Sequence, residues 1–117
     1  MRKFHAATMG VDQGNEDIFA DFLDGGEMWT GEGTRERRKP IVFSEQFRSR
    51  PVVQVGLSMW DMDNCANLRA DVAADKVTER GFELVFRTWA DTKVARIRMN
   101  WLAIGEVASE DDWDLDV

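Results

Sequence analysis

The sequence predicts an all-β domain, a six-stranded antiparallel β-sandwich. Three observations carry that expectation. Several segments alternate apolar and polar residues with period two, turn residues recur at short regular intervals, and helix signals are nearly absent. Segments of this kind with no intervening helices favour two packed sheets over a βαβ arrangement.

The first strand is expected over Lys3 to Val11, ended by the turn-rich Asp12-Gln13-Gly14-Asn15. Ile18, Phe19 and Phe22 have helical spacing within Asn15 to Leu23, but Gly14 and Gly25-Gly26 bracket too short a run, which reads as strand or irregular. Glycines then dominate from Gly25 to Gly33. The basic run Arg35, Arg37, Arg38, Lys39, interleaved with Glu36, reads as solvated loop charge or local ion pairs. Pro40 opens a short strand, Ile41-Val42-Phe43, since proline is tolerated at a strand's first residue. Pro51 opens the next, with Val53, Val55, Leu57 and Met59 on one face and Val52, Gln54, Gly56, Ser58 and Trp60 on the other. A polar connection, Asp61 to Asn67, leads into a strand over Leu68 to Ala74.

The segment from Gly81 to Gly105 is the most informative stretch and reads as a β-hairpin with a polar, aromatic tip. Phe82, Leu84, Phe86 and Thr88 share one face of its first arm, and Ala95, Ile97, Met99, Trp101 and Ala103 share one face of its second. By that parity Trp101 belongs to the core and Trp89 to the opposite side, beside Asp91, Thr92 and Lys93. Val52, Val85, Leu102 and Ile104 fall on outward faces with Arg96 and Arg98, an apolar set that a neighbouring copy would cover, with the arginines pairing across the contact.

At 117 residues the chain holds one domain, expected over residues 1–105, followed by an acidic tail over residues 106–117. The tail carries Glu106, Glu110, Asp111, Asp112, Asp114 and Asp116 and no Lys or Arg, so it supplies most of the net charge of -7. Trp113 and Leu115 are the tail residues able to dock on the body. A body without net positive field excludes nucleic acid as a partner. The single Cys65 forms no intrachain disulfide, and no stretch is apolar enough for membrane insertion. With no apolar N-terminal region after Met1, the chain is expected to be soluble, and cytoplasmic or exported by a route other than Sec.

Tests for reaction chemistry fail. The one histidine, His5, is near the N-terminus, which disfavours a His-based triad, and one His with one Cys is too few for a zinc site. Asp61-Met62-Asp63-Asn64 has the beginning of a calcium loop without its glycine and distal glutamate, so it reads as a turn-capping segment. What remains is a binding set: Trp89 as a flat apolar surface, Asp91 as an acceptor, Arg69 as a forked donor. Those groups match a sugar, with its C–H face and hydroxyls. On pattern alone Trp60 and Trp89 equally suit packing under loops or at a contact between copies.

Phe43-Ser44-Glu45-Gln46-Phe47, Pro51-Val52-Val53, Asn67-Leu68-Arg69, Val77-Thr78-Glu79-Arg80-Gly81-Phe82, Phe86 to Lys93 and Trp101 to Gly105 occur in the order and spacing of a known family. Over about Met28 to Gly105 the chain resembles the H-type lectin domain. The resemblance implies a β-sandwich that assembles as a homotrimer, sometimes paired into a hexamer, and binds glycans of the galactose or N-acetylgalactosamine type without a metal or other cofactor. It implies sugar contacts from Arg69 and Trp89, from Ala90 where relatives carry histidine, and from Thr30-Gly31-Glu32, where Glu32 replaces an aspartate supplied by a neighbouring protomer. Asp91 joins this set as an acceptor. A multivalent lectin, not an enzyme, is the expected function. The alternative is a trimeric assembly or tip module of a larger particle with no sugar site in use.

Overall fold

The computed structural model describes residues 1–5 and 8–109. Six strands and two single-turn helices follow one another as β1 (Met9–Phe19), α1 (Asp21–Asp24), α2 (Glu27–Thr30), β2 (Arg35–Val42), β3 (Val52–Met62), β4 (Asp71–Asp75), β5 (Gly81–Thr88) and β6 (Val94–Glu106). They form two three-stranded antiparallel sheets, ordered β1-β6-β3 and β2-β5-β4. The expected six-stranded sandwich is therefore present, although several of its parts differ from the expectation.

β5 and β6 are not a hairpin. β5 pairs with β2 and β4, β6 pairs with β1 and β3, and the Trp89–Lys93 connection crosses from one sheet to the other. Both arms have the alternation of half-buried strands, and alternation reports burial of a face without naming the neighbour that supplies the hydrogen bonds. The face assignments hold: Phe82, Leu84, Phe86 and Thr88 are buried opposite Ile97, Met99, Trp101 and Ala103. Phe43, Phe47, Phe82 and Trp101 make an aromatic cluster with centroid separations of 4.9 to 5.9 Å, and Phe19 meets Phe86 at 5.6 Å. Burial of these rings is the main source of stability in so small a sandwich.

The first strand lies later than expected, and Asp12-Gln13-Gly14-Asn15 is in its middle. Gly14 stands opposite Trp101 in the ladder, and a β-carbon there would collide with the Trp101 indole. The glycine marks a close approach of a large ring to backbone, a role glycine takes in strands as readily as a turn. The basic run is likewise strand: β2 begins at Arg35, and Pro40 falls near its end. Its charges alternate sides. Arg37 turns to Asp21, whereas Glu36 and Arg38 join an outward lattice in which Arg38 pairs with Glu36, Asp75 and Glu83 and Arg87 pairs with Glu36 and Asp71. Val85, expected to be outward and available to a partner, is fully buried beneath that lattice.

A bulge in β3 between Leu57 and Met59 shifts its phase against β6. Met59 then stands opposite the outward Arg98, and Trp60 opposite the buried Ile97, the reverse of the uninterrupted alternation. Arg96 and Arg98 pair within the chain, with Asp61 at 3.1 Å and Asp17 at 2.8 Å. β6 continues to Glu106, and Val107 is packed in the core, two residues past the expected boundary at 105. Trp113 and Leu115 lie outside the described residues.

The α1–α2 corner is built on a buried carboxylate. Asp21 accepts two hydrogen bonds of 2.9 Å from the Arg37 guanidinium and one of 2.9 Å from Met28 N–H. Burial alone would raise its pKa, but the bonds from Arg37 and Met28 outweigh it and hold the carboxyl below the ordinary aspartate value. A β-carbon at Gly26 would strike this carboxylate, which fixes glycine at the corner.

Both close contacts can be tested by substitution. Gly14→Val should force the Trp101 indole out of place and cost about 2 kcal/mol or more in urea denaturation. Asp21→Asn should cost about 2 kcal/mol at pH 7. Because the folded pKa of Asp21 is depressed, its contribution is present above the unfolded value and lost as pH falls through the folded one. The deficit of Asp21→Asn against the parent, measured by denaturation midpoint, should therefore narrow as pH is lowered from 5 toward 2.

Candidate carbohydrate site

Three connections meet at one end of the sandwich: the Gly31–Thr34 loop before β2, the Asp63–Ala70 segment between β3 and β4, and the Trp89–Lys93 crossover. The crossover turns sharply because Ala90 takes a left-handed conformation with φ of 57°, a strained state for a residue with a side chain. The turn leaves Trp89 42% exposed, so its ring is available at the surface while its chain neighbour Thr88 is fully buried.

Arg69 lies in the segment leading into β4 and is brought to the crossover by two buried threonines. Thr88 Oγ1 donates to Arg69 C=O at 2.7 Å, and Thr92 Oγ1 donates to Asn67 C=O at 2.5 Å. The Arg69 Nη1 in turn donates to Asp91 Oδ1 at 2.6 Å and to Thr92 Oγ1 at 3.1 Å. Among the described residues its Nε and Nη2 donors have no partner. The bonds from Arg69 and from its own backbone N–H hold the Asp91 carboxyl below the ordinary aspartate value, and the Asp91 side chain is 66% exposed. An arginine with open donors, an ionised acceptor and an exposed indole thus share one rim.

A residue that sequence reasoning placed in a loop organises this rim. Arg35 is 5% exposed, and its guanidinium donates to five backbone carbonyls: Gly33 at 2.9 Å, Glu27 at 3.2 Å, Met28 at 3.1 Å, Ala90 at 3.2 Å and Thr92 at 2.8 Å. Arginine presents five donors in a rigid fork, a count a lysine ammonium cannot match. Its place at the start of an alternating strand beside the buried-face residues Arg37 and Lys39 was the available signal, since the same parity continues to the core residue Ile41.

Of the other expected contacts, Ala90 C=O is occupied by Gly33 N–H at 2.9 Å as well as by Arg35. Glu32, the residue before Gly33, is therefore carried beside the Trp89–Ala90 turn of its own chain, and it is exposed. Thr30 is exposed and spends its hydroxyl on Gly26 C=O at 3.0 Å, inside α2. Trp60 stands apart, 60% exposed, in an apolar depression with Leu57, Met62, Leu68 and Ala70. Of the Asp61–Asn64 segment, Asp61 still belongs to β3 and pairs across the ladder with Arg96, and Asp63 caps the turn, its Oδ1 accepting from Cys65 N–H at 2.9 Å. Among the described residues no three metal-type ligands converge.

Residues 38–104 match the H-type lectin domain, more than half of the chain. A protein of Fuscovulum blasticum named ATP synthase subunits region ORF 7 is 52% identical over 110 residues, which cover 94% of this chain and 96% of its own. A discoidin-1 polypeptide of Dictyostelium discoideum is 33% identical over 75 residues, covering 63% of this chain and 30% of its own. The solved structure of recombinant discoidin II from the same organism superimposes with a TM-score of 0.71 at 23% identity, covering 88% of this chain and 39% of that one. The chain thus spans under two fifths of the discoidins it matches and nearly all of the Fuscovulum relative. With the matched residues running from the second strand to the end of the sixth, and with the two-sheet architecture they imply in place, the chain belongs to the H-type lectin domain family.

Proposed function

We propose that the chain is a multivalent lectin that binds galactose or N-acetylgalactosamine-type glycans on the rim formed by Arg69, Trp89 and Asp91. The observation that carries this reading is the half-committed state of Arg69. One of its nitrogens is fixed by Asp91 and Thr92, so the guanidinium is held in place, about a quarter exposed, while its remaining donors have no partner among the described residues, at the same crossover as an exposed indole. A pyranose fits such a surface, with its C–H face on Trp89 and vicinal hydroxyls between the Arg69 donors and the exposed Asp91 carboxylate. Glu32, exposed next to the same turn, is a further acceptor, Ala90 sets the left-handed turn between Trp89 and Asp91, and Thr30 lies two residues before Glu32. The Arg35 guanidinium positions the rim without touching the sugar.

Avidity would come from a homotrimer, with a hexamer as its paired form. The outer face of the β1-β6-β3 sheet supports association: Val11, Ile104 and Val52 stand side by side across the three strands and are 66%, 37% and 47% exposed. The outer face of the other sheet is sealed by its ion-pair lattice, so the two faces differ in what they leave uncovered. Linking several weak sites on one particle multiplies apparent affinity without new contacts.

Calorimetric titration and a glycan array test the site. The parent should bind galactosides, Arg69→Ala should lower affinity at least about tenfold, and Trp89→Ala should lower it severalfold. Failure of the parent to bind any array sugar at high protein concentration would end this reading. Since Asp91 keeps its charge below the ordinary aspartate value, affinity should be level from pH 8 to 5 and fall only under more acidic conditions. Ile104→Asp should convert the oligomer to monomer in analytical ultracentrifugation, leaving the intrinsic site affinity in place.

A further inference from the structure

The end of the sandwich that carries Arg69 and Trp89 has a second concave surface. A cleft of about 440 Å³ opens between Phe22 and Trp29 on the α1–α2 corner and the Asp61–Asn64 segment after β3, with Met62 and Ala95 between them. That volume lies within the range of small-ligand sites, about 300–1,000 Å³. Phe22 and Trp29 meet edge to face, with centroids 5.2 Å apart and planes at 84°. In such a pair the ring that offers its edge keeps both of its faces clear of the other, and Phe22 is 56% exposed.

The opposite wall is polar. Asp61 is committed to Arg96, and one oxygen of Asp63 is committed to Cys65 N–H. Asn64, exposed at the wall, keeps its amide nitrogen free among the described residues, and the Asp63 carboxylate, which also takes the Cys65 thiol, remains an acceptor lining the cleft. Ring faces on one side with an amide donor and a carboxylate acceptor on the other are again the groups that hold a pyranose.

The two surfaces share a single turn. Asp91 receives Arg69 at 2.6 Å, and two residues later Lys93 C=O receives Asp63 N–H at 3.0 Å. Two residues of chain reach at most about 7 Å. Arg35 ties Met28 C=O, next to Trp29, and Thr92 C=O to one guanidinium, so the aromatic corner and the turn are held as a unit. We propose that the Phe22–Trp29–Asn64 cleft is a second carbohydrate subsite, taking the inner ring of an oligosaccharide whose terminal galactose-type ring occupies Arg69 and Trp89. The subsite rests on the lectin reading above and makes the ligand an oligosaccharide instead of a single sugar.

Calorimetric titration of the full chain with methyl galactoside and with a set of galactose-terminated trisaccharides tests it. The parent should bind at least one trisaccharide roughly fivefold or more tightly than the monosaccharide, as one added ring contact permits. Phe22→Ala and Asn64→Ala should each lose that gain and keep the monosaccharide affinity, with unchanged thermal midpoints showing intact folding. Equal affinity of the parent for the monosaccharide and every trisaccharide, or a gain that survives both substitutions, overturns the subsite and leaves the Arg69–Trp89 site standing. Absence of binding to either kind of sugar overturns both.

Discussion

A buried guanidinium underlies the architecture of the candidate site. Among the described residues Arg35 has no carboxylate as a hydrogen-bond acceptor, and its charge is spread over five carbonyls drawn from the α1–α2 corner, the Gly31–Thr34 loop and the β5–β6 crossover. Irregular segments are costly to bury because their backbone groups lack ladder partners. Here one side chain supplies those partners for three segments at once, and the same segments carry Trp29, Glu32, Trp89 and Asp91. Ala90 can remain in its left-handed state because its carbonyl is held from two directions, by Arg35 and by Gly33 N–H.

The strand pattern made the class of fold and the inward face of β5 and β6 legible, because alternation records which residues leave water. It could not show that these strands belong to different sheets. Two half-buried strands joined by five residues look the same whether the turn returns the chain to its neighbour or carries it across the sandwich. Gly14 misled for a related reason, since a turn residue and a residue cleared for a ring are the same letter. The phase shift at Ser58 was invisible, as a bulge has no fixed composition, and it exchanged the sides of Met59 and Trp60.

Within the site, Arg69 and Asp91 were readable as a donor and an acceptor, and their contact at 2.6 Å required the fold to bring residues 22 positions apart together. The threonines that achieve this were not readable. Thr88 and Thr92 look like ordinary strand-end and turn residues, yet both are fully buried and spend their hydroxyls on the backbone of Arg69 and Asn67. Phe22 and Trp29 were passed over for the opposite reason. Phe22 fell in a short run read as strand or irregular and Trp29 in a glycine-rich stretch, and it takes the Asp21 carboxylate gripped by Arg37, together with Arg35 on the Glu27 and Met28 carbonyls, to fold them back against the sandwich.

The passage of the chain from one sheet to the other at Trp89–Lys93 has a mechanical consequence. A glycan anchored on a cell or particle pulls on whatever holds its sugar, and in the proposed site that holder would be the strap joining the ends of the two central strands, β5 and β6. Tension entering at Trp89 is divided between two ladders, each flanked on both sides by hydrogen-bonded neighbours, instead of peeling one edge strand from its sheet. A grip located there suits attachment that must survive drag.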